Sequence, residues 1–230
     1  MSPGTVVRAM IVQSVTGLVL TALILFLPAG TLAWPQGWVF LVLLIGCGLV
    51  TDVDLLRRDP ALLAARMKSP ISPDQKPRDR AVMRVILVFF IGWMAFIPLD
   101  ARRFGWSHAP LWAEVCGGGL MLAAFWGWSI VLRANTFAAT TIELQAARGQ
   151  TVITTGPYAV VRHPLYGFTL LFMLGAPLLL GSLWGLAGLV IFIPLLAARA
   201  LGEEALLRAG LPGYADYAEK VRFRFAPGIW

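Results

Sequence analysis

Charge is what this sequence has least of. Only 13% of its 230 residues are charged, against 58% hydrophobic, and the mean hydropathy is +0.76. No ordinary soluble domain shows that balance, so a soluble enzyme or binding module is excluded and a bilayer is the expected solvent. Cysteine is scarce too. Cys47 and Cys116 both fall inside apolar segments, which argues against a disulfide framework and against a metal site. Acidic residues number 12 against 19 basic ones, leaving a net charge of +7. Such an excess can serve nucleic acid, but its placement argues for the rule that basic loops stay inside the cell.

What the sequence has instead is long apolar runs. A spanning helix needs about 20 mostly apolar residues. Six stretches qualify or nearly so: roughly 7–29, 34–56, 81–100, 110–133, 164–180 and 182–200. Together they predict an all-α, multi-pass transmembrane bundle that forms one domain over 1–230. The first run resembles a signal peptide in carrying Arg8 ahead of it, but it is longer than a signal core and leads into another apolar run, so a retained helix is expected. The densest basic cluster, Arg57, Arg58, Arg66, Lys68, Lys76, Arg78, Arg80 and Arg84, lies between the second and third stretches. Placing it in the cytoplasm puts both termini, the 134–163 segment and the C-terminal tail on that side, and leaves only Arg102 and Arg103 outside. A cell (inner) membrane protein with both termini cytoplasmic is therefore expected.

The outer connections are poor in charge, with none from Pro28 to Pro35, and the short Leu180-Gly181-Ser182 predicts a tight hairpin of the fifth and sixth helices. The 57–80 loop, with Pro60, Pro70, Pro73 and Pro77, reads as solvated and mostly irregular with one turn at Pro60-Ala61-Leu62-Leu63. Its charges suit topology and attraction to anionic lipid. Residues 134–163 are different: Thr136, Thr140, Thr141, Gln145, Gln150, Thr151, Thr154 and Thr155 accompany Val152 and Ile153. They predict a polar extended strip whose backbone groups can grip a ligand. In the tail 202–224, Leu206, Leu207, Tyr214, Tyr217 and Val221 are spaced for an amphipathic helix broken at Leu211-Pro212-Gly213.

Two constellations stand out. In Gly156-Pro157-Tyr158-Ala159-Val160-Val161-Arg162-His163-Pro164-Leu165-Tyr166-Gly167, Pro164 holds His163 extended and opens a helix. The N-terminus of that helix suits a carboxylate or phosphate, with His163 and Tyr166 beside it. In Arg199-Ala200-Leu201-Gly202-Glu203-Glu204, a spacing of four puts Arg199 and Glu203 on one helix face while Glu204 points about 100° away. Arg199 reads either as a functional cation near the end of the acyl region or as a snorkelling arginine. Glu203 reads either as a ligand or as its surface partner.

These runs, with Pro212-Gly213-Tyr214-x-x-Tyr217, resemble the isoprenylcysteine carboxyl methyltransferase family and its phospholipid methyltransferase-like relatives over about 135–230. Upstream, Asp59-Pro60-Ala61-Leu62-Leu63 and Leu99-Asp100-Ala101-Arg102-Arg103-Phe104-Gly105-Trp106 are similar to bacterial members. The resemblance implies a membrane enzyme whose S-adenosylmethionine site lies in 134–230, with 1–133 supplying membrane helices and the basic loop. It implies that Gln145, Gln150, Thr151, Val152, Ile153, Tyr158, His163, Pro164, Leu165, Tyr166 and Glu203 contact the cofactor and that Arg199 orients the substrate. Gly202 is expected to loosen its helix end.

Methyl transfer of this kind needs mainly an aligned nucleophile and exclusion of water. A carboxylate acceptor is already ionised near neutral pH and needs only an orienting arginine. An amine needs a base, for which Glu204 or His163 would serve. No residue is dedicated to that task, so a lipophilic carboxylate arriving from the bilayer is the first expectation, with a phospholipid amine or small thiol as alternatives. A nicotinamide-dependent reductase would want more cations in the strip than Arg148 and Arg162. A transporter would want charge along a mid-membrane path.

Overall fold

A computed structural model describes residues 3–69, 71 and 77–230. Helices α1 (Pro3–Ala29), α2 (Pro35–Arg58), α3 (Pro60–Arg66), α4 (Pro77–Pro98), α5 (Leu111–Ala134), α6 (Pro164–Leu179), α7 (Leu189–Gly210) and α8 (Tyr214–Lys220) follow in that order. The expected all-helical bundle is what forms. Five helical segments, Gly4–Ala29, Pro35–Arg58, Pro77–Phe104, Leu111–Ala134 and Trp184–Gly210, are long and apolar enough to cross a membrane. They match five of the six predicted stretches. The sixth is α6, whose 16 residues span only about 24 Å at 1.5 Å per residue. Large aliphatic side chains such as Val42, Val88 and Val190 point outward from the bundle, as a lipid-facing surface requires.

Helix α6 owes its position to close approach against α5. A Cβ on Gly117 would lie 2.4 Å from the Leu179 nitrogen and 2.7 Å from the Gly175 carbonyl, so only glycine lets these backbones meet. Around that seam Phe40, Met121, Ala124, Phe172 and Ala176 form the core. The expected hairpin with α7 is looser: residues 180–183 and a 3₁₀ turn, Trp184–Gly188, intervene. The Trp93 indole on α4 donates 2.7 Å to the Gly185 carbonyl and fixes this turn. Gly117→Val should therefore destabilise the detergent-solubilised protein by about 1–3 kcal/mol or more, seen as a lower melting temperature, because backbone, not side chain, must yield. Gly119→Ala, whose Cβ meets nothing within 4 Å, is the control, and equal melting of both variants would refute the seam.

The 57–80 connection is more ordered than its proline content predicts. Asp59 accepts a 2.9 Å hydrogen bond from the Leu62 N–H and caps α3, whose Leu62 and Leu63 are buried beside Leu55 and Leu132. Two apolar residues and a cap suffice for this helix because α2 and α5 give it something to pack on. Arg78, Arg80 and Arg84 stand on α4, which starts at Pro77, earlier than hydropathy alone indicates. Pro70, Pro73 and Lys76 lie outside the described residues.

Beyond Pro98 helix α4 continues as a π-helical turn, Leu99–Phe104. Its fully buried Asp100 accepts from Ser107 at 2.5 Å and Ser182 at 2.6 Å. This knot ties α4 to the α6–α7 connection at one end of the bundle. The opposite end holds the 135–163 segment, α3 and α8, and there the polar residues gather.

Candidate active site

Residues 135–163 contain no strand and only two 3₁₀ turns, Ala146–Arg148 and Gly156–Ala159. Their backbone is held by charged side chains of the helices around them. Arg66 of α3 donates 2.9 Å to the Ala138 carbonyl, and Arg199 of α7 donates 2.5 Å to the Thr140 carbonyl. Asp79 of α4 accepts from the Ile142 N–H, and Asp59 accepts from the Thr136 hydroxyl. The segment is a strap over a cavity of about 300 Å³, at the lower end of the range for small-molecule sites.

One wall of the cavity is polar and the other apolar. Gln150, Thr151, Val152, Ile153, Tyr158, His163, Tyr166, Arg199 and Glu203 line it, as does Leu165; all ten were expected at the site from sequence. Met83, Ile86, Met173 and Leu196 extend it between α4, α6 and α7. Two expected residues do not reach it. Gln145 is tied off: its side chain donates 2.9 Å to the Phe137 carbonyl and accepts 2.5 Å from Arg148, and its N–H donates 2.7 Å to Gln150. Pro164 is buried as the first residue of α6.

Glu204, expected to point away from Arg199 and Glu203, does so, and the direction it takes is inward. It is 4% exposed. Its carboxylate accepts from Arg162 Nε at 2.8 Å and Arg224 Nε at 3.0 Å and lies 3.1 Å from His163 Nε2. Arg162 Nη1 also donates 3.0 Å to both the Ala218 and Val221 carbonyls. Helix α7 runs unbroken through Gly202 to Gly210, so no loosening accompanies that glycine.

Arg199 and Glu203 share a face but not a bond. Glu203 Oε2 accepts 3.0 Å from the Tyr166 hydroxyl and stands 3.7 Å from His163 Nδ1. Arg199 Nε faces Asp79 Oδ1 at 3.6 Å. Neither Asp79 nor Arg162 was expected from sequence at the site. Asp79 is an ordinary helix-start acid in the local pattern, and nothing nearby in the chain signals its partner on α7.

The C-terminal tail pairs with the residues that lead into α6. The Arg162 and His163 N–H groups donate to the Phe223 and Arg224 carbonyls of the tail at 2.9 and 2.8 Å. The Phe225 carbonyl sits where a Cβ on Gly167 would be, 2.4 Å away. The Arg162 and His163 donors precede the helix; within its first turn the Tyr166 and Gly167 N–H groups donate to the His163 carbonyl at 3.1 and 3.3 Å. The tyrosines here are held neutral. Burial pushes the phenols of Tyr158, Tyr214 and Tyr217 well up from the ordinary tyrosine value, so none is a phenolate base at neutral pH.

Residues 112–210, which supply α5, α6, α7 and the strap, match the phospholipid methyltransferase family. A relative from Cupriavidus metallidurans, the cobalt-zinc-cadmium resistance protein CzcN, is 32% identical over 140 residues, covering 60% of this chain. The match spans 59% of the length of that relative. The resemblance read from the sequence is thereby borne out over residues 112–210, where the chain is similar to the phospholipid methyltransferase family.

Proposed function

We propose that this protein is a membrane methyltransferase that uses S-adenosylmethionine and methylates a lipophilic acceptor drawn from the bilayer. The observation that carries this reading is the cavity itself, which joins the polar wall of Glu203, Tyr166, His163 and 150–153 to the apolar wall of α4, α6 and α7. The residues present fit such a cofactor. Glu203 Oε2 is engaged by Tyr166 and its other oxygen has no hydrogen-bond partner among the described residues, which suits an ammonium or a ribose hydroxyl. Main chain and hydroxyl groups of Thr151–Ile153 suit a nucleoside edge. When bound, the cofactor supplies an activated methyl group that the acceptor's lone pair takes while the carbon–sulfur electrons stay on sulfur.

The chain's own residues position the acceptor and exclude water. Arg199, with Nε against Asp79 and Nη2 on the strap, is fixed in place at the junction of the polar and apolar walls and can orient an acceptor carboxylate. An ionised carboxylate needs no base, and the neutral tyrosines offer none. Orientation with both termini cytoplasmic places the strap on the cytosolic side, where the cofactor is found, and agrees with the basic residues of α3, α4 and the tail.

The nicotinamide alternative fits less well. Of the cavity's cations, Arg162 is paired with Glu204 and Arg199 faces Asp79, which leaves Arg66 as one cation without a close carboxylate among the described residues for the two charges of a pyrophosphate. Calorimetry on the protein in detergent should show binding of S-adenosylmethionine and its demethylated product, and a radioactive methyl donor should label a lipid extract. Binding of a nicotinamide dinucleotide with neither adenosyl compound binding would overturn the proposal.

A further inference from the structure

The cavity contains a cation that the methyl-transfer reading does not use. Arg66 is the last residue of α3, contributed by the part of the chain that lies outside the matched 112–210, and it lines the cavity. Of its five N–H donors, one reaches the Ala138 carbonyl at 2.9 Å. No carboxylate among the described residues comes within 4.0 Å of it, although Asp52 of α2 acts on it electrostatically. Burial pulls its pKa down from the ordinary arginine value, opposed by Asp52 and Tyr158. A guanidinium remains charged even so, and half-buried Arg66 has only Asp52, beyond ion-pair distance, to offset it.

The other cavity cations are already answered: Arg162 by Glu204 and two carbonyls, Arg199 by Asp79 and the strap. At the α6 start, the Arg162 and His163 N–H groups are taken by tail carbonyls and the Tyr166 and Gly167 N–H groups by the His163 carbonyl. Near Arg66, the Tyr158 hydroxyl accepts 2.8 Å from Asn135, and its own proton has no acceptor among the described residues. Arg66 and Tyr158 thus both carry unengaged donors among the residues that line the cavity.

We propose that Arg66, assisted by the Tyr158 hydroxyl, is the anion subsite of the cavity, binding a single carboxylate or phosphate group. Two ligands of the proposed reaction carry such a group: the amino-acid end of the adenosyl cofactor and the headgroup of a lipid acceptor. The proposal rests on the methyltransferase reading for its ligands but not for its chemistry, because a cavity-lining guanidinium with spare donors and no described carboxylate within ion-pair distance suits an anion whatever reaction follows.

Two arms separate the sources, both using the full-length protein in detergent. In the first, calorimetry compares S-adenosylmethionine with its decarboxylated analogue for the unaltered protein, Arg66→Gln and Arg66→Lys. If the cofactor carboxylate occupies the subsite, Arg66→Gln weakens the intact compound about tenfold or more and leaves the decarboxylated one unchanged, while Arg66→Lys retains part of the affinity. In the second arm, a nitroxide-labelled phosphatidic acid is compared with the matching diacylglycerol. If a lipid headgroup is the ligand, Arg66→Gln removes the preference for the phosphate-bearing lipid and leaves the cofactor untouched. Arg66→Lys guards against misfolding, since it keeps the charge and the apolar stem. Both preferences surviving in a folded Arg66→Gln protein would overturn the subsite. Binding of neither adenosyl compound to the unaltered protein defeats the cofactor reading instead, and the lipid arm then decides the subsite alone.

Discussion

Glu204→Ala is expected to cost about 3–5 kcal/mol of stability and to abolish cofactor binding. The carboxylate is buried and serves Arg162, Arg224 and His163 together. Arg162 is itself only 7% exposed, so truncating Glu204 leaves a guanidinium inside the protein with two carbonyls and no counter-charge. The loss extends to geometry, because His163 lies between Glu204 and Glu203 and takes its ring orientation from both. Thermal unfolding in detergent measures this directly; at about 2–4 °C per kcal/mol for a chain of this size, the drop should be well outside error. Arg224→Ala should cost less, since that arginine is partly exposed and Glu204 keeps two partners without it. A Glu204→Ala protein that melts with the unaltered one would remove the hub from the account of the site.

The second large effect separates Glu203 from Arg199. Glu203→Ala should weaken cofactor binding by about 1–3 kcal/mol, whereas Arg199→Ala should leave cofactor affinity nearly unchanged and lower kcat at saturating cofactor. Their separate partners support this: Tyr166 and His163 for one, Thr140 and Asp79 for the other. Removing Arg199 also strands the Asp79 carboxylate, 12% exposed. The double variant Asp79→Asn, Arg199→Ala should therefore recover stability lost in Arg199→Ala without recovering turnover. Matched losses of affinity and melting temperature in the two single variants, with no kinetic separation, would refute the assignment.

The spanning helices could be read from hydropathy because each is a local, near-continuous apolar run, and a run of that length has one physical solution in lipid. Helix α3 was legible only as one turn over 60–63, because its extension to Arg66 depends on the surface that α2 and α5 provide. The polar cavity wall was within reach of the sequence wherever the residues are near neighbours, as in His163, Leu165 and Tyr166. Pairings across the chain were out of reach. A helical wheel places Glu204 about 100° from Glu203 but does not say that this direction leads to Arg162, 42 residues upstream. Likewise it shows Asp79 at a helix start and not its position behind Arg199. The pairing of the tail with Arg162 and His163, about 60 residues away, is equally invisible around that helix start.

The covering of that helix start by the tail bears on the order in which the molecule assembles. Arg162 and His163 are held by Phe223 and Arg224 through main-chain bonds, and Arg162 is held again by Val221, 59 residues later. Contacts of such sequence separation carry a loop-closure cost that neighbouring helices do not. During synthesis α5 and α6 can pair along their glycine seam as soon as both are in the membrane. The polar chamber, by contrast, closes only after α7 has inserted and the chain has returned to lie along residues 162 and 163. Membrane insertion and acquisition of the binding site are thus separate events, and the first can be complete while the second has not begun.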